Sequence, residues 1–74
     1  MTVLVTRPQL VKILQVRHHT TANHWVKKSR LEVVERRGRE TYFDACELLA
    51  FFEHQKYLAH AQNLRQWIIE QEGK

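Results

Sequence analysis

No glycine or proline stands between Ala45 and Glu72. These two residue types are the strongest interrupters of a helix, and the whole chain holds only two Gly and one Pro in 74 residues. The last part of the sequence is therefore free to be helical throughout. Asp44 and Glu47 supply an Asp-x-x-Glu capping signal just ahead of an apolar pattern. Leu48, Leu49, Phe51 and Phe52 crowd the first two turns. Tyr57, Ala61, Leu64 and Ile68 then follow at steps of four, three and four, the spacing of a helix–helix seam. One helix of that length reaches roughly 40 Å, more than a domain of this size spans. The pattern predicts a long C-terminal helix. A break near His54 to Lys56, giving two helices folded back, is the alternative.

Ahead of that segment, Thr6 and Gln9 have the spacing of a capping box, and Pro8 is tolerated in a first turn. Leu10, Ile13 and Leu14 recur at helical spacing, with Val11 at the edge of the same face. A short first helix over about residues 7 to 14 follows from this. Val3, Leu4 and Val5 read as either a short strand or a hydrophobic lead-in. After a turn at Gln15, Val16 and Arg17, a second helix runs from about His19 or Thr20 to Lys28. Thr21, Ala22, Trp25 and Val26 form a stripe that can be buried, and Trp25 reads as core. Thr20, Asn23, His24 and Lys27 form an opposite, polar and basic face. Leu31 to Glu35 and Glu40 to Phe43 are strand-like, and Arg36-Arg37-Gly38-Arg39 joins them as the tip of a β-hairpin. The expected fold is one domain, mainly α with a small β-hairpin.

Charge is distributed unevenly. Between Arg17 and Arg39, seven basic residues face only Glu32 and Glu35, so this stretch carries +5 and the rest of the chain −1. Such a segment points to a polyanion-binding surface. Neutralising about six phosphates makes affinity fall roughly a thousandfold between 50 and 200 mM salt. No apolar run approaches the roughly 20 residues that span a bilayer, and the N-terminus lacks the pattern of a secretory signal. Cys46, the only cysteine, excludes an internal disulfide and suggests a reducing compartment. His19 and His24 are five apart, and His54 and His60 six apart, so neither pair shares a helix face well. No metal site is expected. With no Gly-rich phosphate loop, no paired acids in a pocket and no base placed beside Cys46, neither an enzyme nor a cofactor is expected.

Helix, turn, polar-faced helix, Arg-tipped hairpin and capped helix, in that order, describe a winged helix-turn-helix followed by a long C-terminal helix. The wording of the sequence is also familiar at Leu10, Ile13, Leu14 and Val16, then Thr21 and Trp25, then Leu31, Gly38, Tyr42-Phe43-Asp44, Leu48 and Leu49. Over Thr6 to Phe52 it resembles the excisionase and MerR-like winged helix-turn-helix group, which includes small phage regulators and lambda-type terminase small subunits. That family places a Thr four residues before a Trp in its recognition helix, as Thr21 and Trp25 stand here. It usually has Gly in the turn where Gln15 stands, Ser or Thr capping the second helix near His18, and Gly after that helix where Ser29 or Arg30 stands.

The resulting expectation is a DNA-binding domain over residues 1–53 and a dimerisation or self-association segment over 54–74. The helix at about 19–28 would enter the major groove of duplex DNA, and the resemblance implies that the wing at 36–39 lies in or over the adjacent minor groove. The candidate DNA-binding residues are Arg17, His19, Thr20, Asn23, His24, Lys27, Lys28, Arg36, Arg37 and Arg39. Asn23 suits a bidentate pair with adenine, and Lys27 or Arg17 reaches guanine or phosphate. Arginine is favoured where the minor groove is narrow. Tyr57, Ala61, Leu64 and Ile68, with Trp67 nearby, are the candidate seam of a homodimer, and cooperative assembly on DNA is the other route to a longer footprint. The expected role is a small cytoplasmic, nucleoid-associated transcriptional regulator. The alternatives are an excisionase-type architectural factor, a terminase DNA-recognition module or, from another class, a basic protein-interaction adaptor.

Overall fold

Thr6 opens the first helix as its spacing to Gln9 requires. In a computed structural model that describes residues 3–73, the Gln9 N–H donates to Thr6 Oγ1 at 3.4 Å and the Thr6 N–H donates to Gln9 Oε1 at 2.9 Å. The described residues run β1 (Leu4–Val5), α1 (Arg7–Ile13), α2 (His19–Lys28), β2 (Glu35–Arg37), β3 (Glu40–Asp44), α3 (Ala45–His54) and α4 (Leu58–Glu72). The architecture is mainly helical with a small three-stranded antiparallel sheet in the order β1-β3-β2. Leu4 and Val5 thus form a short strand rather than a loose lead-in. Leu4 pairs with Asp44 and Val5 with Phe43, and the Ala45 N–H donates to the Val3 carbonyl at 2.9 Å.

The hairpin is shifted from the sequence expectation. Its first strand is Glu35–Arg37, not Leu31 to Glu35, and Val33 and Val34 are exposed. The turn sets this register. Arg37 pairs with Glu40, which leaves a two-residue loop, Gly38-Arg39. Gly38 takes φ 58°, the left-handed value that such tight hairpin loops demand of their first residue and that glycine adopts without a steric penalty. Asp44 then caps α3 by accepting from the Cys46 N–H at 2.9 Å.

The long C-terminal helix is in fact two helices, broken at Gln55 to Tyr57. The reason lies in the phase of the apolar stripe. Leu48 and Phe52 share one face, whereas Ala61, nine residues beyond Phe52, begins a stripe about 180° around a continuous helix of 3.6 residues per turn. A straight helix buries one stripe and exposes the other. Folding back buries both: Leu48, Phe52 and Leu64 are each 0% exposed, and Ala61 and Ile68 are buried with them. Arg65 ties α4 to α3 through Glu53 at 2.8 Å.

This corrects the expected dimer seam. Ala61, Leu64 and Ile68 belong to the same core as Val5, Leu10, Ala22, Val26 and Phe43, and the half-buried Tyr57 and Trp67 pack against it. Residues 54–73 therefore complete the hydrophobic core of residues 3–53 instead of extending away from it. Trp25 is half-buried and pins α2 to the α3–α4 elbow. Its ring meets Tyr57 at 5.0 Å, Phe52 at 5.3 Å and His60 at 5.5 Å, all edge-on, the arrangement aromatic quadrupoles prefer.

Candidate nucleic-acid interface

α2 begins at His19 with His18 at its cap, and His18 makes no side-chain capping bond. Ala22 and Val26 are buried, while Thr20, His24 and Lys27 are exposed on the opposite face. At 1.5 Å per residue these three side chains span roughly 10 Å along the helix. Arg17 is exposed in the turn just before the helix.

The hairpin tip and the start of this helix line a common cleft. This cleft of about 260 Å³ is bounded by Thr6, Arg7 and Pro8 from the start of α1, by His19 from α2, and by Arg39, Glu40 and Thr41 from the hairpin. His19 and Arg39 therefore border one opening, which joins the polar face of α2 to the tip as a continuous surface. Residues alternate between the two faces of a strand, and this divides the wing cations. Arg36 stands opposite Thr41 and shares its face, and Thr41 is one of the residues lining the cleft. Glu35, Arg37, Glu40 and Tyr42 share the other face.

On that second face the polar groups engage one another. Arg37 Nε is 3.1 Å from Glu35 Oε2, and its guanidinium lies 5.5 Å from the Tyr42 ring centroid. The Tyr42 hydroxyl donates to Glu40 Oε2 at 2.6 Å. This hydrogen bond to an acceptor that is itself negative holds the Tyr42 phenol above its ordinary value of 10.0, with partial desolvation and the Glu40 charge acting in the same direction.

Three of the expected contact residues have neighbours of their own in the fold. Arg37 is engaged by Glu35 and Tyr42, and so is less free than Arg36 and Arg39, which make no ion pair among the described residues. Lys28 leans away from the polar face of α2. Its ammonium is 3.5 Å from the Tyr57 hydroxyl and 5.7 Å from the Trp25 ring centroid. Asn23 sits at the edge of the buried stripe, half-buried, with Oδ1 shielded from solvent and unpartnered. A bidentate pair with adenine needs both ends of the amide, so this rotamer offers only one of them. Arg7 was missed by the sequence reading, because it lies ten residues before the basic stretch and only the fold brings it beside His19 and Arg39.

Among the described residues no group of three or more His, Cys, Asp and Glu is arranged to hold a metal ion. Cys46 is exposed at the start of α3. No helix among the described residues is long and apolar enough to cross a membrane. No family model, no curated protein and no solved structure matches this chain.

Proposed function

We propose that the protein binds double-stranded DNA as a small winged helix-turn-helix regulator, with α2 in the major groove and the β2–β3 hairpin as the wing. The observation that carries this reading is the shared cleft. It sets the arginine tip beside the first turn of α2, so that one surface offers short polar side chains at Thr20 and His24 flanked by Arg17, Lys27, Arg36 and Arg39. Short polar groups read base edges, and the cations on either side hold phosphates. The order of elements and the residues shared with the excisionase and MerR-like group point in the same direction. Regulation is the preferred outcome. An excisionase-type architectural role or terminase-type recognition uses the same surface.

Selection from a random duplex library tests the claim. The expected result is a short enriched motif that Thr20→Ala or His24→Ala relaxes at single positions. Asn23→Ala changes it less, because the amide is half-buried. Salt-sensitive binding with no motif would remove sequence reading and leave a non-specific architectural binder. Failure to bind any duplex at 50 mM salt would overturn the proposal and return the basic surface to a protein partner.

A further inference from the structure

We propose that the cleft between α1, α2 and the hairpin seats one phosphate group, held by Arg7, His19 and Arg39. The source of that phosphate rests on the DNA reading above; the seat itself does not. Arg7 is the informative residue. Its guanidinium lies 4.9 Å from the ring centroid of Phe43, which is only 1% exposed. The π face of Phe43 fixes the side chain in place, and no carboxylate among the described residues pairs with it. Its charge is thus preorganised yet uncompensated.

Arg39, at the turn, likewise has no ion pair among the described residues. Glu40 is the acidic residue at the cleft, and its Oε2 is taken by the Tyr42 hydroxyl at 2.6 Å, on the strand face that also holds Arg37. The Thr6 hydroxyl is occupied by the capping box with Gln9. What remains is one donor residue on the cleft from each of three elements: a guanidinium from α1, an imidazole from α2 and a guanidinium from the hairpin. A tetrahedral anion with several acceptor oxygens suits such a set, and charge-assisted bonds to it are the strong kind. A flat carboxylate presents its two oxygens in one plane and satisfies fewer of these donors at once. In a complex with duplex DNA, a backbone phosphate seated here locks the wing to the recognition helix.

The experiment compares the full chain with Arg7→Met, which keeps an apolar cover on Phe43, with Arg39→Gln, and with Arg65→Gln as a control on the α3–α4 side. Duplex affinity is measured over a salt series, and His19 ring signals are followed by NMR as inorganic phosphate is added. In the expected result, Arg7→Met and Arg39→Gln each weaken every duplex roughly tenfold and lower the salt slope by about one. Phosphate shifts the His19 signals in the parent chain and in Arg65→Gln, but not in Arg7→Met. Should Arg7→Met fail to fold, Arg39→Gln at the exposed tip carries the same test. Unchanged affinity and slope in both variants overturn the seat and leave DNA binding standing. If no duplex binds but phosphate still moves His19 in an Arg7-dependent way, the seat survives as a site for free phosphate and the DNA reading falls. If neither probe binds, both fall.

Discussion

Gln15, Arg30 and Lys56 each follow a helix end with a positive φ, at 56°, 57° and 64°. Each sits where the chain leaves its helix by paired backbone bonds. The N–H groups of Val16, Leu31 and Tyr57 reach back to the carbonyls of Val11, Val26 and Phe52 at 3.1, 3.2 and 2.9 Å. This is the Schellman ending, which glycine usually completes. The three apolar residues that follow pack onto the core and hold the ending in place without glycine. A β-carbon in the left-handed region costs about 1–2 kcal/mol, while glycine loses about 0.5–1 kcal/mol more chain entropy on folding. Lys56→Gly is therefore expected to stabilise the protein by about 0.5–1 kcal/mol, seen as a rise of several degrees in thermal midpoint. An unchanged or lower midpoint would show that Lys56 has compensating contacts. Tyr42 offers a second test. Its phenol titrates above 10.0 because the neutral hydroxyl donates to Glu40. A raised pKa in the folded state means that this contribution to stability is complete below the unfolded value near 10 and is lost as pH rises through the folded value. Glu40→Gln should bring the phenolate absorbance transition of Tyr42 back down, with Tyr42→Phe identifying which transition belongs to it.

Among the elements, α4 most changes what the sequence suggested. Leu64 is 0% exposed within the chain's own core. Leu64→Ala should cost about 2–5 kcal/mol in denaturant unfolding, with a midpoint independent of protein concentration. A midpoint that moved with concentration would restore the dimer seam. The break before α4 was partly legible. No Gly or Pro marks it, but the half-turn phase slip between Phe52 and Ala61 does, and the seam-like steps from Tyr57 to Ile68 masked that signal. The capping box at Thr6, the extent of α2 and its buried stripe could be read directly, since each depends on near neighbours. The hairpin register could not. β-rich composition at Leu31–Val34 suggested a strand, whereas the conformational demand at Gly38 moved the pairing to Glu35–Arg37. The candidate site was legible as a list of cations and illegible as a surface. Arg7 joined it, and Lys28 and Arg37 turned aside, through contacts with Phe43, Tyr57, Trp25 and Tyr42 that exist only in the fold.

For the whole molecule, whose Cα extents are 33 × 29 × 21 Å, the long axis is no longer than one turn of duplex, roughly 34–36 Å. In the proposed DNA complex one copy would touch a limited run of phosphates, and the salt dependence should report how many. The sequence alone suggested about six. With Arg37 and Lys28 engaged by neighbours and Arg7 lining the cleft, the proposed surface offers five cations: Arg7, Arg17, Lys27, Arg36 and Arg39. Counter-ion release of about 0.9 per phosphate then gives a log–log slope near −4.5, or roughly a 500-fold loss of affinity between 50 and 200 mM salt. The two hairpin arginines separate the faces within this number. Arg36→Gln removes a cation on the cleft face and should reduce the slope by about 0.9. Arg37→Gln removes one already paired with Glu35 at 3.1 Å, so the slope should hardly change. Equal effects from the two substitutions would mean that DNA pulls Arg37 from Glu35 and engages both sides of the wing. A slope that neither variant alters would place the contact away from the hairpin altogether.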